Sequence, residues 1–248
     1  MKETHKVINY VMIALLFVSM FLVAREAARY VLSDKAEGIN PNLVIIDAGH
    51  GADDGGKVGI NGAVEKDINL AIALRVRDLL EFQGIQVLMT RENDQGTYPK
   101  TGDSRKMRDM QKRVELINSK RAALTVSIHQ NSYSDERIYG AQTFYYTGST
   151  EGKAAAEILQ AQMVETLDKE NHRQAKENGS YYLLKNVNYP IVIAECGFLS
   201  NRKEADLLCD EEYQEQVAWA IHLGILRYIN SSNQKGMEDT YEMDQNPN

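Results

Sequence analysis

Three short apolar runs in this chain of 248 residues each lead into a side chain that can bind a metal or transfer a proton. The three pairs are residues 43–46 with His50, residues 124–128 with His129, and residues 191–194 with Glu195. Short β-branched runs of this kind predict buried strands, and in open α/β sheets the reactive groups gather at the carboxyl ends of the parallel strands. We therefore predict a single α/β domain with a central, mostly parallel twisted sheet flanked by helices, and a metal site at the C-terminal ends of the strands.

A glycine-rich stretch after His50 brings a fourth side chain into consideration. The glycines between residues 49 and 62 predict a long turn, and Glu65 lies at the start of the helix that follows it. The turn can return Glu65 to the side of His50. Two imidazoles and one carboxylate leave a tetrahedral zinc ion with one open position, which is the ligand set of several zinc hydrolases. The spacing of His50, Glu65 and His129 in the sequence is equally compatible with two interpretations. They form a metal site, or each has an ordinary structural role.

Glu195 is the strongest catalytic candidate in the residue pattern. It follows an almost purely aliphatic strand, where a carboxylate without a partner would be costly. Burial there would raise its pKa, which suits a group that must accept and then return a proton. The pattern therefore favours a catalytic or metal-linked role for this residue.

Hydrophobic periodicity predicts alternating strands and helices between these landmarks. Further strands are predicted at residues 85–90, 141–146 and 181–184. Helices are predicted from Glu65 up to Gly84 and at residues 106–120, 152–171 and 211–230. The polar stretch 91–107 is predicted to be a surface loop near the rim of the site.

Length and composition limit the domain organisation. The chain is long enough for one substantial α/β domain, which we place at residues 42–230. Residues 31–41 are predicted to be a linker, and residues 231–248 a polar, acidic and disordered tail. The formal net charge of −7 argues against nucleic acid as a partner, because phosphate binding needs a basic face.

The N-terminus has the pattern of an export segment. Lys2 and Lys6 precede an apolar stretch from Val7 to Ala24, as in the basic and hydrophobic regions of a signal peptide. A stretch of this length also lies at the lower limit for a membrane-spanning helix. Residues 1–30 are therefore expected to be a retained membrane anchor or a cleaved signal peptide, and in both cases the protein is exported and extracytoplasmic.

The two cysteines do not provide a disulfide framework. Cys196 follows an apolar run and Cys209 lies in a predicted helix. We expect both to be buried thiols, and neither to be a nucleophile.

Several strings of residues, in a fixed order along the chain, carry a family resemblance. They are residues 46–51 (Ile-Asp-Ala-Gly-His-Gly), residues 65–67 (Glu-Lys-Asp), Thr90-Arg91 with Asp94, Arg113 with Asn118, residues 127–131 (Ser-Ile-His-Gln-Asn) and residues 195–201 (Glu-Cys-Gly-Phe-Leu-Ser-Asn). Across residues 43–230 the chain resembles the zinc-dependent N-acetylmuramoyl-L-alanine amidases of the amidase type 3, or AmiC-like, family. The resemblance implies zinc as the cofactor. It also implies that the zinc ligands are His50, Glu65 and His129, and that the catalytic glutamate is Glu195.

Two further residues are candidates for supporting these ligands. Histidines that bind zinc usually have their second ring nitrogen held by a hydrogen-bond acceptor. Asp47 and Asn131 are candidates for that role, and simple structural turns are equally compatible with both.

The resemblance also implies a substrate and a reaction. The substrate is peptidoglycan, and the bond cleaved is the amide between the lactyl group of N-acetylmuramic acid and L-alanine of the stem peptide. The chain is most similar to the sporulation amidases of the CwlD type, which implies a role in forming muramic δ-lactam in the spore cortex. A vegetative cell-separation amidase, a zinc peptidase or deacetylase on the same polymer, and a catalytically silent peptidoglycan-binding regulator remain alternatives. An accessory activating protein is a further expected partner.

Overall fold

A six-stranded sheet lies at the centre of residues 40–248 in the computed structural model of this protein. The structure describes residues 39–94 and 105–245, together with Leu16, Ser19 and Met20. The predicted export segment and linker therefore lie almost wholly outside the described residues. Among the helices described, none combines the length and the hydrophobicity needed to cross a membrane.

Four of the six strands are parallel neighbours. In chain order the strands are β1 (Asn40–Ala48), β2 (Gln86–Met89), β3 (Ala122–Asn131), β4 (Gln142–Tyr145), β5 (Lys176–Glu177) and β6 (Ile191–Phe198). Their spatial order is β2-β1-β3-β6-β4-β5, and the first four run parallel. β4 pairs antiparallel with β6, and β5 pairs parallel with β4. The prediction of a mostly parallel α/β sheet is confirmed.

Helices cover both faces of this sheet. In chain order they are α1 (Glu65–Phe82), α2 (Arg105–Asn118), α3 (Thr150–Leu167), α4 (Tyr182–Asn186), α5 (Arg202–Leu207) and α6 (Glu211–Gln245). α1, α3 and α6 contribute to the larger hydrophobic core, whereas α2 and α4 contribute to a smaller core. Successive β1 residues alternate between them, with Val44 and Ile46 in the larger core and Ile45 in the smaller. Burial of both faces explains why the central strands have continuous apolar runs.

Residues 181–184 were predicted to form a strand, but residues 182–186 form helix α4 instead. The Asn178 side chain accepts a hydrogen bond of 2.9 Å from the Tyr181 N–H group, in the turn that leads into this helix. Both leucines of α4 then pack in the smaller core. A short apolar and aromatic run cannot by itself distinguish a strand from a short helix.

Helix α6 starts at the predicted residue but does not end at Asn230, since it continues to Gln245. The prediction of disorder from residue 231 was therefore wrong as far as residue 245. Residues 231–245 contain no proline, and seven of these fifteen residues are Gln, Lys, Glu or Met, which have good helix propensity. A polar composition is thus compatible with a helix as well as with disorder.

The two cysteines have different environments, and both are free. Cys196 is buried in the larger core, as predicted, and burial raises the pKa of its thiol. The prediction was wrong for Cys209, which is exposed. Leu208 is the fully buried residue after α5, and Cys209 lies next to it in the turn.

Gly224 allows α6 to lie close against α3. A Cβ atom at position 224 would lie 2.9 Å from Cγ of the buried Leu159 and 3.2 Å from its Cα.

A larger residue at position 224 should therefore overpack the contact between α3 and α6. We expect urea denaturation to show that Gly224→Val lowers the free energy of unfolding by about 1–3 kcal/mol, as overpacking of a core does. Gln216→Val, at an exposed position of the same helix, is the control and should change stability much less. Equal effects of the two variants would contradict this close helix contact.

Candidate metal centre

Three side chains from separate parts of the sequence converge at the C-terminal edge of the parallel strands. His50 Nε2 lies 3.1 Å from Glu65 Oε1, and His129 Nδ1 lies 3.0 Å from the same oxygen. Potential ligand atoms of the three residues all lie within 4.8 Å of one another. The structure thus brings together the three ligand candidates selected from the sequence.

The turn after β1 depends on backbone conformations that most residues avoid. His50 has a φ of 64°, Gly51 a φ of 135° and Gly56 a φ of 72°. Positive φ is readily adopted by glycine and is strained for histidine. The turn then returns to α1, where Lys57 accepts a 2.9 Å hydrogen bond from the Glu65 N–H group and donates its own N–H to Glu65 Oε2 at 2.8 Å. This two-way contact fixes the carboxylate beside His50.

Two glycines leave the space that the ligand candidates occupy. A Cβ atom at Gly49 would overlap the imidazole ring of His129. One at Gly56 would lie 2.7 Å from Cδ2 of His50 and would also meet the Glu65 carboxylate. The compact arrangement of the three side chains therefore depends on the absence of a Cβ atom at both positions.

Hydrogen bonds determine the charges within the cluster. Burial lowers the pKa of His50, but hydrogen bonds to Asp54 and Glu65 outweigh burial and raise that pKa to about 9. Burial raises the pKa of Glu65, but its contacts with His129 and His50 outweigh burial and hold the pKa below its usual range. An ionised carboxylate facing two imidazole nitrogens matches the N and O donors of zinc hydrolase sites. The residues present therefore fit a zinc ion.

Asp54 supports this cluster and was not among the site residues predicted from the sequence. Its Oδ2 atom lies 2.9 Å from His50 Nδ1, so it holds the ring nitrogen that does not face Glu65. This is the supporting contact expected at a histidine that binds zinc. The available signal was an acidic pair, Asp53 and Asp54, shortly after His50 in the glycine-rich turn.

Glu195 lies beside the cluster on the neighbouring strand. Its position on β6 is paired with that of His129 on β3. The Glu195 side chain is buried and lines the same cleft as the three ligand candidates, and its Oε2 atom has no hydrogen-bond partner among the described residues. Burial raises the pKa of Glu195 to about 7. Such a carboxyl group can exchange a proton near neutral pH.

Asp47 lies behind the cluster in a buried polar network. Its Oδ1 atom accepts hydrogen bonds of 2.6 Å from Thr90 Oγ1 and from Arg113 Nη1, and its Oδ2 atom accepts one from Ser127 Oγ. Burial raises the pKa of Asp47, but the Arg113 guanidinium and the two hydroxyl groups outweigh burial and lower that pKa to about 2. Asp47 is therefore an ionised partner of Arg113.

The network acts on the backbone of the histidine turn. Arg113 donates hydrogen bonds to the carbonyl oxygens of Ala48, at 2.9 Å, and of His50. Asp47 was a candidate for holding a histidine ring, with a structural turn equally compatible, and its hydrogen bonds instead go to Thr90, Arg113 and Ser127. Asn131 likewise makes a local contact, because its Oδ1 atom accepts a 2.8 Å hydrogen bond from the N–H group of the next residue.

The metal candidates and Glu195 lie in one cleft of about 520 Å³. Its lining also includes two lysines, Lys57 and Lys106, and two tyrosines, Tyr181 and Tyr182. A cleft of this size can enclose a small molecule or the reacting part of a polymer. The cleft therefore offers metal donors, a proton acceptor, and basic and aromatic side chains to a bound molecule.

Comparison with known proteins identifies the family. The sequence model of the family described as N-acetylmuramoyl-L-alanine amidase matches residues 44–227. The chain belongs to this family. The amidase is 42% identical over 194 residues to the germination-specific N-acetylmuramoyl-L-alanine amidase of Bacillus subtilis strain 168, a match that covers 77% of this chain and 81% of that protein.

Solved structures of related proteins have the same fold. The CwlD amidase from Clostridioides difficile, in complex with the GerS lipoprotein, matches with a TM-score of 0.74 and 42% identity, covering 77% of this chain and 99% of that chain. The catalytic domain of CwlV, an N-acetylmuramoyl-L-alanine amidase from Bacillus (Paenibacillus) polymyxa var. colistinus, matches with a TM-score of 0.64 and 32% identity, covering 76% and 98%. The amidase therefore shares the fold of enzymes from this family.

Zinc binding by the cluster is measurable directly. Elemental analysis by mass spectrometry measures how much zinc the protein keeps after dialysis. We expect the purified amidase to retain about one zinc ion per chain, as a site with three protein ligands does. The His129→Ala variant should retain almost none. His172→Ala removes an exposed histidine and is the control. Equal zinc content in the two variants would exclude His129 as a ligand.

The buried ion pair behind the site should contribute strongly to stability. Asp47→Ala removes the fully buried partner of Arg113, which then keeps only its ion pair with the partly buried Asp109. We expect denaturant titration to show a loss of roughly 3 kcal/mol in the free energy of unfolding, the lower end of the range for breaking a buried ion pair. Asp135→Ala breaks a surface ion pair with Arg137 and is expected to have little effect, because water screens that pair. Similar losses in both variants would contradict the central role of Asp47.

Proposed function

We propose that the amidase uses His50, Glu65 and His129 to hold one zinc ion and uses Glu195 to move a proton. The reaction is hydrolysis of the amide bond between the lactyl group of N-acetylmuramic acid and L-alanine of the peptidoglycan stem peptide. The observation that carries the proposal is the buried Glu195 carboxyl group, which shares one cleft with the three donors and has an oxygen atom without a partner in the described part of the chain. Family membership supports the reaction.

The chemistry follows from these positions. Zinc bound at the three donors would supply a Lewis acid that polarises the scissile carbonyl group and lowers the pKa of water. Glu195 accepts a proton from the attacking water as the water oxygen bonds to the carbonyl carbon. The C–N bond then breaks, and Glu195 returns that proton to the leaving nitrogen. The products are a free lactyl carboxylate on muramic acid and a stem peptide that begins with the amine of L-alanine.

Residues around the cluster keep it in place during the reaction. Asp54 holds the ring of His50 from one side. Arg113, paired with Asp47, holds the backbone carbonyl group of the same histidine. Groups fixed in advance lose little freedom when the substrate binds, which favours reaction over rearrangement.

We further propose that the reaction serves the spore cortex. Removal of the stem peptide leaves the free lactyl carboxylate from which a muramic δ-lactam can form. The similarity to a germination-specific amidase and to a CwlD amidase, both 42% identical to this chain, supports this role. Muropeptide analysis of spores that lack the gene tests it: loss of muramic δ-lactam is expected, whereas normal δ-lactam with defective cell separation would favour the vegetative alternative.

The substrate also bears on location and partners. Peptidoglycan lies outside the cytoplasmic membrane, so the proposal requires export, for which residues 1–30 would be the targeting segment. The related amidase from C. difficile was solved in complex with a lipoprotein. That complex supports an accessory protein as a partner of this chain also.

Mass spectrometry of digested peptidoglycan tests the reaction. The zinc-loaded full-length protein is expected to release peptides that begin with free L-alanine. Glu195→Gln should still fold and bind zinc, but should cleave roughly 10²- to 10⁴-fold more slowly, because an amide cannot accept the proton. Glu136→Gln, at an exposed position, is the control and should cleave like the wild type.

The products distinguish the alternatives. A new amino group within the peptide would indicate a zinc peptidase, and one on a sugar would indicate a deacetylase. Bound zinc without any cleavage, even with an accessory protein added, would indicate a silent peptidoglycan-binding regulator.

A further inference from the structure

Tyr181 presents a phenol to the catalytic cleft that the mechanism above does not use. It lines the same cleft as Glu195. Its ring packs against the smaller core and meets Phe144 edge to face, with 5.5 Å between the ring centroids and an interplanar angle of 72°. Its N–H group donates to Asn178, and its carbonyl group accepts from the Lys185 N–H group in the first turn of α4. Side chain and backbone contacts therefore both fix its position.

The hydroxyl group is the part of Tyr181 that remains available. Its ring is partly enclosed by the core and cannot offer its whole face to a sugar. Among the described residues, the hydroxyl group has no hydrogen-bond partner, so its proton is free to be donated. Burial raises the pKa of Tyr181, and the negative charges of Glu195 and Glu65 raise it further, to about 12. The group is therefore a protonated O–H donor within electrostatic reach of both carboxylates.

Amide hydrolysis needs such a donor at one point. When the water oxygen bonds to the carbonyl carbon, negative charge develops on the carbonyl oxygen. Hydrogen-bond donors fixed beforehand at that place stabilise the transition state more than the bound substrate, because the charge is present only in the transition state. The backbone N–H groups of Gln130 and Lys57, which also line the cleft, are already bonded to Glu65 and are not free for this role.

We propose that the Tyr181 hydroxyl group donates a hydrogen bond to the carbonyl oxygen of the scissile lactyl amide as that oxygen becomes negative, and that Tyr181 is thus a catalytic residue. The proposal rests on the proposed function, because it requires water activated by Glu195 to attack that carbonyl group. Tyr181 keeps its own proton throughout. The proton transferred to the leaving amine comes from water through Glu195, so the hydroxyl group stabilises charge and changes no bond.

Tyr181→Phe removes only the hydroxyl group and retains the ring in the core. We expect kcat to fall roughly 10- to 100-fold, somewhat less than for a donor in a site fully closed to water, while KM changes by less than about twofold. Tyr139→Phe is the matched control, since it removes the same hydroxyl group from an exposed tyrosine that does not line the cleft, and it should leave kcat within about twofold of the wild type. Zinc content and thermal midpoint should be the same in both variants and the wild type.

A binding measurement separates this role from a structural one. A phosphinate analogue of the scissile bond carries a tetrahedral anionic centre, and Tyr181→Phe should weaken its binding by about the factor lost in kcat/KM. Affinity for the cleaved stem peptide should not change. Equal kcat in the Tyr181→Phe and Tyr139→Phe variants, with unchanged affinity for the analogue, would overturn the proposal. A wild-type protein that releases no L-alanine peptides would instead overturn the proposed function itself.

Discussion

The parallel pairing of β1, β3 and β6 is the constraint on which the rest of the site depends. It aligns Ala48 with Ile128 and His129 with Glu195, so that the polar groups after three apolar runs reach the same edge of the sheet. Parallel neighbours need crossover connections, which here place helices on both faces and bury all of β6 and most of β1 and β3. The carboxyl group of Glu195 is therefore held by a rigid apolar scaffold, and this burial raises its pKa.

The polar network behind the cluster meets a different requirement. A sharp turn in which a histidine adopts the left-handed backbone conformation is strained, and it persists only when the surrounding residues fix it. Arg113 supplies that support by donating hydrogen bonds to the carbonyl groups of Ala48 and His50. Asp47 compensates the positive charge of the buried guanidinium. Replacing both partners of a buried ion pair by apolar groups of similar volume often changes stability little, whereas removing only one partner lowers it strongly. Its value lies in defining one conformation of the backbone at His50.

Much of this architecture could be predicted from the sequence, because long-range order in a parallel sheet follows from local apolar runs. Five strands (β1, β2, β3, β4 and β6), the sheet class, and the arrival of His50 and His129 at one edge of the sheet follow from that rule. Glu65 reaches the same place through the glycine-rich turn. The acidic pair Asp53 and Asp54 pointed to a partner for His50, but the sequence could not show which of the two contacts the ring, because the Asp54 contact depends on positive φ angles in the turn between them. His129 and Glu195 were expected at strand ends, but both strands continue past them.

The remaining errors concern segments in which two conformations suit the same composition. Tyr182–Asn186 has the apolar and aromatic content of a strand, and the turn at Asn178 starts a helix instead. The polar end of the chain suited disorder, and α6 continues through it to Gln245. In each case the conformation is decided by residues that precede the segment itself: Asn178 precedes the predicted strand, and α6 begins before residue 231.

The origin of the three donors has a consequence for folding. They come from the turn after β1, the first residue of α1, and β3, so no two are neighbours in sequence. An unfolded chain has no preformed site, and an ion that binds only the native state adds its binding free energy to that state. For the zinc site proposed here, the supply of metal where the chain folds would then govern the lifetime of the enzyme as well as its turnover.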